Sequence, residues 1–81
     1  MTNSSDAGRR ERRMTVVRVR DSGDGAEVMF VESARIYRLT RSNPAYGDTL
    51  AALRASAATG KPLRVRFDKP NGELIEFAVA P

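Results

Sequence analysis

The stretch NPAYGDTLAALRASAATGKPLRVRFDKPNGELIEFAV, residues 43–79, decides the fold. At Asn43-Pro44 the proline ring fixes its own φ and pushes Asn43 toward extended backbone, so a strand ends and a turn begins there. Alanine and leucine then dominate, and Leu50, Leu53 and Ala57 recur at spacings of three and four. This spacing predicts a helix packed through those side chains, with Asn43 or Asp48 as its cap. Gly60 is the expected left-handed stop, and Pro62 bars continuation. Beyond it, Leu63, Val65 and Phe67 alternate with Arg64, Arg66 and Asp68, the pattern of a strand with one buried face. Pro70-Asn71-Gly72 supplies the turn, and Ile75, Phe77 and Val79 answer in a last strand. In that register Phe67 and Phe77 enter the core, while Arg64 and Arg66 face Glu73 or Glu76 across the hairpin.

Toward the N-terminus, residues 14–21 set Val16, Val17 and Val19 among Arg18 and Arg20, a β-branched run that predicts a strand. The segment Asp21-Ser22-Gly23-Asp24-Gly25 breaks it, its glycines offering the positive φ angles of a tight hairpin, and residues 26–31 form the return strand. Residues 35–41 alternate Tyr37 and Leu39 against Ile36 and Arg38, as a third strand would. Glu32-Ser33 is a poor turn, which leaves a helix across residues 26–39 as the competing reading. Against it, Val28, Met29, Phe30 and Val31 are consecutive apolar residues that would wrap around a helix. A strand covered on both faces, or bent across a small barrel, accommodates them.

The expected chain is therefore mostly β with one helix, in the order β-β-β-α-β-β. That order resembles the OB-fold, a five-stranded Greek-key barrel whose helix lies between the third and fourth strands. The segments Asn43-Pro44-Ala45-Tyr46, residues 50–58 and Gly60-Lys61-Pro62-Leu63-Arg64-Val65 look like the helix and fourth strand of small bacterial OB-like proteins. The resemblance rests on pattern, not on a diagnostic motif. It implies a small barrel that binds its ligand on the second and third strands, which puts Arg35, Tyr37 and Arg38 at the expected place.

Composition narrows the function. The chain has 81 residues, enough for one domain. Its first thirteen, MTNSSDAGRRERR, hold only Met1 and Ala7 as apolar side chains, so residues 1–13 are expected to be a disordered Arg-rich tail ahead of a single domain at 14–81. A domain this short is marginally stable without staples or a partner subunit, which makes a homo-oligomer or a protein partner one expectation. Cysteine and histidine are absent. No disulfide and no zinc site of thiolates or imidazoles can form, and neither a metal nor another cofactor is expected. Without an apolar run of membrane-spanning length or a secretory signal, the expectation is a soluble, cytoplasmic protein with no membrane partner. The net charge is +4, and the tail carries half: Arg9, Arg10, Arg12 and Arg13 against Asp6 and Glu11 leave +2.

No catalytic pattern stands out. Gly23-Asp24-Gly25 lacks the remaining glycine and the Lys-Ser or Lys-Thr of a phosphate loop. Asp21 and Glu32 have the outer spacing of a calcium loop, but Gly23 and Gly25 occupy ligand places and Ala26 stands where glycine is required. The pairs Glu73/Glu76 and Glu27/Glu32 project to opposite strand faces, the serines and Thr49 have no histidine base, and Lys61 and Lys69 have no apolar setting. The chain is expected not to be an enzyme.

The sharper signal is arginine. Arg18, Arg20, Arg35, Arg38, Arg41, Arg64 and Arg66 on strands, with Tyr37 beside them, fit a groove that tracks phosphates and stacks a base. The expected function is a non-catalytic module binding single-stranded nucleic acid through Arg18, Arg20, Arg35, Tyr37, Arg38, Arg64 and Arg66. Two alternatives stay open. The arginines also serve as solubilising residues on exposed strand positions, with Tyr37 in the core beside Leu39. The helix face of Ala51, Ala52, Ala55, Ala57 and Ala58 also suits a protein-interaction or self-assembling module.

Overall fold

The computed structural model describes residues 11–67 and 74–79. It is mostly β with one helix: β1 (Glu11–Met14), β2 (Val16–Ser22), β3 (Gly25–Phe30), β4 (Ser33–Thr40), α1 (Tyr46–Thr59), β5 (Leu63–Phe67) and β6 (Ile75–Val79). The strands form two antiparallel three-stranded sheets, β1-β5-β6 and β2-β3-β4. The expected order holds from β2 onward, but six strands in two sheets stand in place of five, and the sheets are not closed into a barrel. They meet on one side at an isolated parallel bridge between Arg38 and Leu74.

The additional strand starts at Glu11, inside the stretch expected as tail. Its sequence, ERRM, buries only Met14, so hydrophobic alternation is silent there. The backbone ladder to β5, from Glu11↔Arg66 to Met14↔Leu63, holds it instead. The rest of the expected tail, residues 1–10, lies outside the described residues, as do the Pro70-Asn71-Gly72 turn and Glu73.

Thr15 alone separates β1 from β2, and the chain changes sheet there. A strand break orphans backbone groups unless something else pairs with them. The Thr15 N–H donates to Glu32 Oε1 at 2.7 Å, and the Thr15 carbonyl accepts the Val31 N–H at 2.8 Å. A register shift between Val16 and Arg18 then leaves Val17 outside the ladder and exposed.

Residues 26–39 are β3, a Val31-Glu32 turn and β4, not a helix. The apolar run divides: Val28 and Phe30 are buried, while Met29 and Val31 face outward. The hairpin at Gly23-Asp24 needs no left-handed glycine, since Gly60, at φ 76°, is the only described glycine in that region. Gly25 is required for a different reason. A Cβ there would run into the Leu39 carbonyl, because β3 and β4 approach closely.

Gly60 ends α1 as expected, its N–H donating to the Ser56 carbonyl at 2.8 Å. The start differs. Ala45 is the N-cap and no side chain caps the helix, although Asp48 adds favourable charge in the first turn. Asn43 is used elsewhere: its Oδ1 accepts the Ala45 N–H at 2.7 Å, and its Nδ2 donates to the carbonyls of Glu76 at 2.8 Å and Ile75 at 3.2 Å. The buried face also differs from the expected one: it comprises Thr49, Leu53 and Ser56, with Leu50 half-buried and Ala57 exposed. Ser56 explains the rotation. Its hydroxyl accepts the Val16 N–H at 3.1 Å and donates to the Lys61 carbonyl at 2.7 Å, tying α1 to the start of β2.

Every strand and α1 contribute to one core, centred on Phe30, Tyr37 and Phe67, whose ring centroids lie 4.9 to 6.3 Å apart. Phe77 is not part of it. Arg66 pairs with Phe77 and Phe67 with Ile75, so Glu76 is an extra residue that reverses the alternation of β6. Ile75 and Ala78 are buried, whereas Phe77 turns outward and Val79 is exposed.

Candidate functional site

Residues directly opposed in an antiparallel ladder share a face. Across β2, β3 and β4 the rows Val19-Val28-Tyr37 and Asp21-Ala26-Leu39 lie on the core side, where Val28, Tyr37, Ala26 and Leu39 are buried and Asp21, at the rim, is exposed and paired with Arg54. The alternate rows, Arg18-Met29-Ile36, Arg20-Glu27-Arg38 and Ser22-Gly25-Thr40, therefore form the outer face. A depression of about 70 Å³ lies between Arg18, Arg20, Glu27, Met29 and Ile36. Met29 is 39% exposed and Ile36 54%, so one end row of this face is apolar beside Arg18, while Glu27 holds its centre between Arg20 and Arg38.

Two of the three arginines on this face are held by carboxylates. Arg20 Nη2 donates to Glu27 Oε1 at 2.8 Å, and Arg38 Nη2 lies 3.6 Å from Asp24 Oδ1. Both pairs are solvent-exposed and worth at most about 1 kcal/mol each. Pairs this weak hold the guanidinium groups over the sheet and leave them able to exchange one anion for another.

The remaining residues expected at the site do not gather there. Arg35 is exposed but sits within the register shift between the Met29↔Ile36 and Phe30↔Ser33 pairs, outside the rows. Arg64 and Arg66 lie on the other sheet, in the rows Arg13-Arg64-Val79 and Glu11-Arg66-Phe77. Arg64 Nη2 approaches Glu11 Oε1 at 3.4 Å, and Arg66 Nε lies 3.5 Å from Glu76 Oε1. Arg41, at the end of β4, lies over the Tyr46 ring at 6.0 Å. Tyr37 as a stacking platform is corrected outright: it is buried between Phe30 and Phe67, with its hydroxyl 2.9 Å from Ser33 Oγ. Its alternation with Leu39 places it on the inner row.

Residue-type reasoning overlooked Met29, Ile36 and Glu27, which share the outer rows with the arginines. Cross-strand pairing, rather than composition, was the signal that could have found them. A second cleft, about 520 Å³, is lined by Thr40, Ser42, Asn43, Pro44, Ala45, Glu76 and Phe77. A third, about 530 Å³, runs from Ala52 and Ala55 of α1 to Pro62 and Leu63. Among the described residues no helix is long and apolar enough to cross a membrane. No protein-family model, curated protein or solved structure matches the chain.

Proposed function

We propose that this chain is a non-catalytic binding module of OB type that holds single-stranded nucleic acid on the outer face of β2-β3-β4. The observation that carries the proposal is the ladder register, which sets Arg18, Arg20 and Arg38 on one face in two adjacent rows with Met29 and Ile36. Phosphates exchange with Glu27 and Asp24 for the guanidinium groups, releasing counterions, and the two apolar side chains give base faces a dry floor. The contacts are to backbone charge, so binding tolerates sequence.

Three features support the OB reading. The order from β2 onward is β-β-β-α-β-β. The passage at Thr15 lets β1 and β2 act as one bent strand serving both sheets, and the Arg38↔Leu74 bridge brings β4 alongside β6 in parallel. A cytoplasmic setting suits a chain without cysteine.

A protein-interaction module is the second reading, favoured by the exposed Met29 and Ile36 and by the lack of an aromatic side chain in the outer rows of this sheet. A labelled oligothymidylate titrated at about 50 and about 200 mM salt separates the two. Nucleic-acid binding predicts affinity that falls steeply with salt. An absence of binding at the lower salt overturns it.

A further inference from the structure

We propose that the cleft between the end of β4 and β6 receives one base of the bound strand, stacked on Phe77. This rests on the nucleic-acid reading of the neighbouring face and extends it to a site on the other sheet.

The aromatic inventory points first to Phe77. The chain has three Phe, two Tyr and no Trp. Phe30, Tyr37 and Phe67 form the core and Tyr46 packs against it, but Phe77 does neither. Regular alternation from Ile75 would bury Phe77; the extra residue Glu76 turns it out and buries the smaller Ala78 instead. Leaving a large ring partly exposed forgoes some hydrophobic stabilisation. Asn43 nevertheless maintains the bulge through its bonds to the Ile75 and Glu76 carbonyls. Bulges of this kind re-aim side chains beside functional sites.

The cleft also continues the proposed binding face. Ile36, Arg38 and Thr40 point outward in succession along β4, and Thr40 lines the cleft together with Phe77. A strand laid over Arg38 along β4 therefore arrives at the ring. Thr40 Oγ1 and Ser42 Oγ lie 3.2 Å apart at this cleft, and hydroxyls both donate and accept, so they suit the edge of any base. The Arg66 guanidinium lies 5.6 Å from the Phe77 ring centroid, its buried Nε 3.5 Å from Glu76 Oε1, and a phosphate beside the ring competes with that carboxylate for its charge. A volume of about 520 Å³ admits one nucleoside.

The test compares wild type, Phe77→Leu and Phe77→Ala against two fluorescent probes at about 50 mM salt: an oligothymidylate and an abasic oligomer with the same number of phosphates. Phe77→Leu keeps apolar bulk but removes the ring, so it separates stacking from folding. Wild type is expected to bind the oligothymidylate more tightly, and both variants to lose about fivefold or more of that affinity while keeping wild-type affinity for the abasic oligomer. Phe77→Leu binding both probes as wild type does, or wild type binding them equally, overturns the stacking site and leaves the arginine face standing. Wild type binding neither probe removes the arginine-face reading and the stacking site together.

Discussion

Glu32 holds Thr15 at the point where the chain leaves one sheet for the other, its carboxylate accepting the Thr15 backbone N–H at 2.7 Å. Thr15 is the sole residue between β1 and β2, and its carbonyl is taken by Val31, the neighbour of Glu32. The β3–β4 turn therefore acts as a clasp on the strand junction.

That clasp is pH-dependent. The bond from the Thr15 backbone holds the Glu32 carboxyl below the ordinary glutamate range, outweighing a smaller opposing effect of desolvation. A carboxyl whose folded pKa is lowered stabilises the fold fully above its unfolded value and loses that contribution as pH falls through the folded value. Glu32 is exposed, so Glu32→Ala is expected to destabilise by no more than about 1 kcal/mol near neutrality. Urea unfolding at about pH 7 and about pH 3 checks this: the difference from wild type should shrink in acid, and a gap of equal size at both pH values contradicts it.

Ser56→Ala removes an acceptor for Val16 and a donor to Lys61 in one step. The Val16 N–H lies in the core, so it cannot recover a partner from bulk water, and a loss of about 1–3 kcal/mol is expected. Ala57→Ser, one position along on the exposed side of α1, should change stability by less than about 0.5 kcal/mol. Thermal unfolding of the two variants side by side provides the measurement.

The glycines of the β2–β3 hairpin should respond unequally. Gly25→Ala drives a methyl into the Leu39 backbone, which cannot yield as a side-chain tip would, and an effect of about 1–3 kcal/mol or more is expected. Gly23→Ala meets open space at an unstrained φ and should be nearly silent. Equal effects in denaturant titrations would place the requirement in the turn, not in the close approach of β3 to β4.

Much of the architecture was legible because alternation and helix stops act locally. Leu63, Val65 and Phe67 needed only their own spacing, and Gly60 with Pro62 marked the end of α1 correctly. What escaped the reading depended on distant partners. ERRM is a strand only because β5 offers a ladder, Asn43 leaves the helix cap because the β6 carbonyls compete for it, and Phe77 turns outward because one residue slips against Phe67. A one-residue slip reverses every later side chain on a strand, and no local propensity records it. The arginines were visible one by one, but their division between two sheets follows from pairing alone.

The face carrying Arg18, Arg20 and Arg38 is tested most directly by the salt dependence of oligothymidylate affinity in three proteins: wild type, the triple variant R18Q/R20Q/R38Q, and the double variant R13Q/R64Q on the other sheet. Three lost phosphate contacts should flatten the log–log salt slope by about 2, at about 0.7 per contact for a single strand, while the double variant retains the wild-type slope. A triple variant that keeps the wild-type slope, or a double variant that loses as much, would contradict binding on the outer face of β2-β3-β4.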